Sequence, residues 1–295
     1  MSRRAEGGAL NRFSPEALFV FSGISQYTGA VIAVSLFDDV RPATVAWFRV
    51  IGAAIVLLAF TWKQQRRGWV KAEVVAALAF GIATALMNLF FYLAIDRLDL
   101  GKSVVIEFIG PIAVAAAFTR SRRNTIALLL AMTGVVVLSG VELDTEPLGL
   151  VFIFAASAMW AAYIMIGRHV ASFDRGSSGL ALAMVFGAIV LVPFGAPGSG
   201  EVFTTPAWLI AALSVGVLSN VVGYGIDQHV LRRVPVRRFA VLLALLPVTA
   251  MFVGFVALDQ TPSWIDLLGA ALVIAGVVSQ EREVLRVEDV EVATA

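Results

Sequence analysis

Ala94–Pro111, AIDRLDLGKSVVIEFIGP, aligns without a gap on Val230–Pro247, VLRRVPVRRFAVLLALLP. Each copy is a charged connector running into an apolar segment, and each sets its proline at the same depth in that segment. Beyond the prolines the correspondence continues weakly, with Gly134 and Gly269 at nearly equal distances from Pro111 and Pro247. The match divides the chain into two halves of one pattern.

Outward from this pair the chain is a series of long apolar runs. A helix crossing a bilayer needs about 20 predominantly apolar residues, within a range of about 17–25. Segments near 15–36, 43–62, 73–95, 103–119, 125–141, 148–170, 179–196, 206–229, 239–257 and 264–280 qualify, giving ten spans. Composition agrees: 59% of residues are hydrophobic and 15% charged, with a mean hydropathy of +0.89, where a soluble domain carries about 25% charge. The runs are continuously apolar rather than alternating, which excludes a β-barrel. The first run is long enough to stay as a helix rather than be cleaved as a signal peptide.

Basic residues stay on the cytoplasmic side. Of the 22 Lys and Arg, only Arg41, Arg97 and Lys102 fall on the other face, and Arg49 lies inside a span. Clusters such as Arg66-Arg67, Arg122-Arg123 and Arg232-Arg233 share one side, so both termini are expected in the cytoplasm. The predicted organisation is a cytoplasmic segment 1–14, a first five-helix repeat 15–141, a second repeat 148–280 and a cytoplasmic tail 281–295. Five is odd, so the second repeat must enter the membrane upside down. Inverted repeats of this kind are typical of secondary transporters, with the substrate site near the midplane between them.

Ionisable groups within a span are costly and should face the interior or a cavity. Arg49 lies about seven residues into the second span and Glu107 about five into the fourth, both counted from the outer face. Their matched depth allows two readings: a buried ion pair joining two helices, or a charged end to a substrate cavity. Gln26 falls mid-span in the first helix. Asn88 and Tyr92 lie one turn apart on the third, and Asn220 and Tyr224 repeat that spacing on the eighth. Trp160 and Tyr163 share a face of the sixth near the midplane, away from the interfacial belts where aromatics concentrate. Each neutral residue is equally well read as packed filler. Asp227 and His229, beside Arg232-Arg233, read as an interfacial charge group. Pro111 and Pro247 each remove a helical hydrogen bond and are candidate hinges. Gly52-Ala53-Ala54 and Gly269-Ala270-Ala271 let helices approach closely.

Cysteine is absent and His169 and His229 are the only histidines, so neither a thiolate nor a zinc-hydrolase site is expected. No cofactor, metal or nucleic-acid partner is predicted.

The run Asn88-Leu-Phe-Phe-Tyr92 through Glu107-Phe-Ile-Gly-Pro111, then Trp160-Ala-Ala-Tyr163 and Pro235-Val-Arg237-Arg-Phe239, resembles the EamA type of the drug/metabolite transporter superfamily. The likeness is greatest to bacterial threonine/homoserine exporters, with aromatic amino acid exporters nearby. Gln26, Arg49 and Tyr224 match those exporters in residue type, and Asp227 falls where they carry an acid. The resemblance covers nearly the whole chain and implies ten helices, two repeats and efflux of amino acids and related metabolites across the bacterial inner membrane. Two positions depart from it. Leu246 precedes Pro247 where the exporters usually have Glu, and Leu258-Asp259-Gln260 replaces Leu-Gly-Glu.

The leading expectation is therefore an inner-membrane exporter, not an enzyme, that works as a monomer by alternating access on a small-molecule substrate in the lipid bilayer. Gln26, Arg49, Asn88, Tyr92, Glu107, Trp160, Tyr163 and Tyr224 are its predicted substrate-binding residues. Arg49 and Glu107 supply charge, and Trp160 and Tyr163 an apolar wall. The alternatives are efflux of other metabolites or drug-like cations, and, more remotely, a membrane scaffold that transports nothing. An intramembrane enzyme lacks a Gly-x-Ser-x-Gly elbow, facing aspartates or metal ligands.

Overall fold

Prolines mark where many of the helices begin. The computed structural model describes residues 13–118, 122–142, 146–171, 173, 175–223, 225–226, 230 and 245–279. Its elements are α1 (Pro15–Val34), α2 (Pro42–Gln65), α3 (Lys71–Ile95), α4 (Leu100–Glu107), α5 (Ile109–Phe118), α6 (Arg122–Glu142), α7 (Pro147–Ala171), α8 (Gly176–Gly195), α9 (Gly200–Thr204), α10 (Pro206–Gly216), a π-helical segment (Val217–Gly223), α11 (Leu245–Leu258) and α12 (Trp264–Ser279). Proline suits the first helical position because its fixed φ fits and the missing N–H has no partner there. At α1 the Ser14 hydroxyl completes the start by accepting from Ala17 N at 3.2 Å.

The chain is an all-α, multi-pass membrane protein, the one architecture besides a closed barrel that satisfies its own backbone in lipid. Among the described residues six helices are long and apolar enough to cross: 15–34, 42–65, 71–95, 147–167, 177–195 and 206–223. Shorter apolar helices cover 125–137, 245–258 and 264–279. This is fewer than the ten continuous spans expected, and one difference has a physical cause. The expected span 103–119 is split at Phe108 into α4 and α5, because Pro111 has no N–H to offer the Glu107 carbonyl. The expected span 206–229 turns from α to π at Val217. Pro247 is the third residue of α11 as described; what it does to residues 231–244 lies outside the described ones.

The helices pair in a pattern that survives exchange of one half for the other. α1 packs on α10, the π-segment and α11, while α7 packs on α3, α4 and α5. α2 packs on α10 and α8, and α8 on α3 and α2. α4 meets α11, and α6 meets α12. At this last crossing a methyl on Gly134 would lie 2.6 Å from the Gly269 carbonyl oxygen. The two glycines that correspond in sequence thus face one another.

One end of α4 is tied to the α11–α12 turn. Gln260 Oε1 accepts from Leu100 N at 3.0 Å, and Lys102 Nζ lies 3.6 Å from Asp266 Oδ1 and 3.3 Å from Asp99 Oδ2. Asp266 is buried; its Oδ2 accepts from Ser263 N and Oγ, both at 2.8 Å. Both residues of the Asp259-Gln260 departure act here: Asp259 takes φ 55°, a left-handed conformation that aspartate tolerates better than most, and Gln260 is the acceptor. Asp266→Ala removes a helix cap and takes a buried counter-charge from Lys102, and is expected to cost about 2 kcal/mol. Thermal unfolding in detergent measures this, and an unchanged midpoint would show the tie to be idle.

Candidate functional site

Arg49 enters the interior from α2 and is 6% exposed. Its Nε donates to Asn220 Oδ1 at 3.0 Å, and its Nη1 to the Tyr92 hydroxyl at 3.1 Å. The guanidinium also lies over the Tyr92 ring, 5.2 Å from the centroid. Tyr92 is fully buried, with the Phe37 ring edge-on at 5.9 Å. Both of these acceptors are neutral. They fix the direction of the guanidinium.

The acid lies across from it. Glu107 is the last residue of α4, buried, at the break that Pro111 causes, and the Arg49 charge acts on its carboxyl. The next residue, Phe108, packs edge-to-face on Trp160 at 5.0 Å, so the break and the predicted aromatic wall adjoin. Asn88, one turn before Tyr92 on α3, is 2% exposed and its Nδ2 has no hydrogen-bond partner. A buried, unpaired amide is costly.

α1 closes another side. Gln26 Nε2 donates to Ser22 Oγ at 3.0 Å, and the Gln26 carbonyl accepts from Ser219 Oγ at 3.1 Å. Ser22 and Ser25 donate in turn to the carbonyls of Gly223 and Leu218, at 3.0 and 2.8 Å.

The structure thus brings Arg49, Tyr92 and Glu107 into one electrostatic group, with Trp160 joined through Phe108. Tyr163 stands elsewhere: it packs on Phe80 at 4.6 Å, within a smaller cluster that includes Ile166, Val170 and Phe186. Tyr224, Asp227, His229 and Pro235–Phe239 lie outside the described residues. Among the described residues no group of His, Asp and Glu converges on a metal position. Asn220 is the residue that sequence reasoning undervalued. Its only signal there was the repeated Asn-x₃-Tyr spacing, which says nothing about a bond to Arg49.

Similarity to known proteins bears on the class of protein rather than on the site. The sequence profile of the EamA-like transporter family matches residues 147–279. The threonine/homoserine exporter RhtA of Salmonella typhimurium (strain LT2) is 31% identical over 264 residues, covering 88% of this chain and 89% of that one. The threonine/homoserine exporter RhtA of Escherichia coli (strain K12) is 30% identical over 264 residues, again 88% of this chain and 89% of its own. An uncharacterized transporter of Archaeoglobus fulgidus is 22% identical over 268 residues, 85% of this chain and 92% of its own. A solved chain described only as "Crystal structure of protein" superposes with a TM-score of 0.58 over 90% of this chain and 96% of its own. At 17% identity it is a likeness of fold alone.

Proposed function

The chain belongs to the EamA-like transporter family of the drug/metabolite transporter superfamily, and on that premise we propose that it exports amino acids and related zwitterions. Membership makes it a multi-pass transporter of the bacterial inner membrane rather than an enzyme. In the proposed architecture ten spans form two inverted halves, 15–141 and 148–280, with both termini cytoplasmic. The symmetric helix pairing and the meeting of Gly134 with Gly269 support it. The substrate cavity then lies between the halves and opens to either face in turn, in a single copy of the chain.

The observation that carries the substrate class is the buried Arg49, held by two neutral acceptors, one from each half. A cation fixed in this way recognises a carboxylate, and Glu107 supplies the counterpart for an ammonium group. Asn88, Gln26, Tyr92 and Tyr224 supply hydrogen bonds, Trp160 apolar wall, and Pro111 and Pro247 the hinges. The names of the threonine/homoserine exporters favour small hydroxylated amino acids within this class.

Proteoliposome flux with labelled threonine, homoserine and phenylalanine tests this. The wild type should move at least one of them. Arg49→Lys keeps the charge but loses the planar fork, and should raise KM about tenfold or more, equivalent to about 1.4 kcal/mol. Flux of none of the three by the wild type would end the amino-acid reading. A second reading, efflux of organic cations, rests on the buried Glu107; it requires an organic cation to outcompete every amino acid tested.

A further inference from the structure

A hydroxyl in an apolar helix can satisfy itself by donating to the carbonyl four residues earlier. The buried Thr61, Thr84 and Thr249 do so, at 2.6, 2.8 and 2.7 Å from the carbonyls of Leu57, Phe80 and Leu245. The buried Ser22 and Ser25 reach across to the π-segment instead. Ser103 on α4 does neither. It is fully buried, and its Oγ has no hydrogen-bond partner among the described residues. An acceptor stands within its own helix: the Asp99 carbonyl, four residues back, takes the Ser103 N–H at 3.0 Å, and the hydroxyl leaves it alone. Burying a hydroxyl without a partner is costly, and alanine would remove that cost with little change of shape.

Ser103 and Glu107 are four residues apart on α4, so they share a face on successive turns, with Cβ atoms about 5–6 Å apart. We propose that Ser103 is a specificity-determining residue: its hydroxyl pairs with the side-chain hydroxyl of a small amino acid whose ammonium group is held at Glu107. This rests on the amino-acid reading above and extends it from the charged ends of the substrate to its side chain. A hydroxyl both donates and accepts, which matches another hydroxyl. An apolar side chain in the same place leaves Ser103 unpaired, and a site built to bond a substrate hydroxyl rejects the analogue that lacks it. The ammonium and hydroxyl groups of threonine and homoserine are separated by two and three carbons, a reach that fits two side chains on successive turns.

Ser103→Ala separates recognition from packing, because the hydroxyl it deletes bonds to none of the described residues. Flux of labelled threonine, homoserine and phenylalanine is measured in proteoliposomes, with inhibition by 2-aminobutyrate, which is either hydroxylated substrate without its hydroxyl. Ser103→Ala should keep or raise the thermal midpoint in detergent. It should nevertheless raise KM for threonine or homoserine about tenfold, the loss of one hydrogen bond, and leave the inhibition constant of 2-aminobutyrate within about twofold of wild type. Ser103→Cys, close in size but a weak hydrogen bonder, should follow the alanine variant in KM. Wild-type KM for the hydroxylated substrates in both variants overturns the proposal and leaves Ser103 as a small residue for close helix packing. An equal loss for 2-aminobutyrate overturns it as well, since the effect would not concern the hydroxyl. A clearly lowered midpoint in Ser103→Ala does the same, since the hydroxyl would then be bonded within the protein. A wild type that moves phenylalanine but neither hydroxylated substrate ends the role of Ser103 and leaves the amino-acid reading standing. A wild type that moves none of the three ends both.

Discussion

Gly216→Ala should destabilise the protein by about 3 kcal/mol or more and abolish flux. A Cβ on Gly216 would fall inside contact distance of the Arg49 carbonyl oxygen and 2.9 Å from Ala53 N. The atoms it meets are backbone, so no side chain can swing aside. Either α2 and α10 separate, or the π-segment that begins at the next residue re-registers. Overpacking a well-filled interior typically costs about 1–3 kcal/mol, and occasionally more; a backbone-to-backbone collision belongs at the upper end. The same displacement moves Arg49 away from Asn220, so the loss of flux should exceed what the loss of folded protein explains. Gly68→Ala is the control, since a methyl there meets nothing within 4 Å. Thermal unfolding in detergent, normalised flux and the control together decide it. A Gly216→Ala protein with wild-type stability would mean that α2 and α10 are not locked together at this point.

The residues that were legible in advance share a property: their effect is set by the chain's own backbone. Pro111 lacks an N–H whatever surrounds it, and the helix does break at Phe108. Gly52 was expected to permit close approach, and a methyl there would collide with the Leu213 carbonyl. The apolar runs became helices because lipid leaves the backbone no other open-ended choice.

The arrangement of the polar groups was less legible, because it depends on helix rotation. Matched depth left open whether Arg49 and Glu107 pair, because depth does not say which way a side chain points around its helix. Rotation brought Arg49 into hydrogen-bonding reach of Tyr92 and Asn220. It also turned Tyr163 toward Phe80 rather than toward Trp160's partner Phe108. The π-segment had no signal within LSNVVG itself. Its support comes from Ser22 and Ser25 on α1, about two hundred positions earlier in the chain. Two serines and Gln26 within one face of an apolar helix were the available hint, and only Gln26 was taken up.

Arg49→Leu should cost about 3–5 kcal/mol, and Glu107→Gln much less. The arginine change strands three buried polar groups at once: the Asn220 carbonyl, the Tyr92 hydroxyl and the Glu107 carboxyl. Removing one member of a buried charge pair costs about 3–5 kcal/mol, because the other is left uncompensated in a low dielectric. Glu107→Gln is nearly isosteric, and the Arg49 bonds to Tyr92 and Asn220 survive it. What is lost is attraction through the field alone, expected at about 1–2 kcal/mol. The double variant should then be more stable than the sum of the single effects predicts, since no carboxylate remains to be stranded. Groups that share one network couple by about 0.5–3 kcal/mol, whereas independent sites add to within about 0.3–0.5. Thermal unfolding of the four proteins in one detergent closes the cycle. A Glu107→Gln cost as large as that of Arg49→Leu would make the two a directly bonded pair holding helices together. Strict additivity would mean that neither charge senses the other. Coupling with a small glutamine cost is the expected result, and it describes two charges that act on each other through the field rather than through a direct bond.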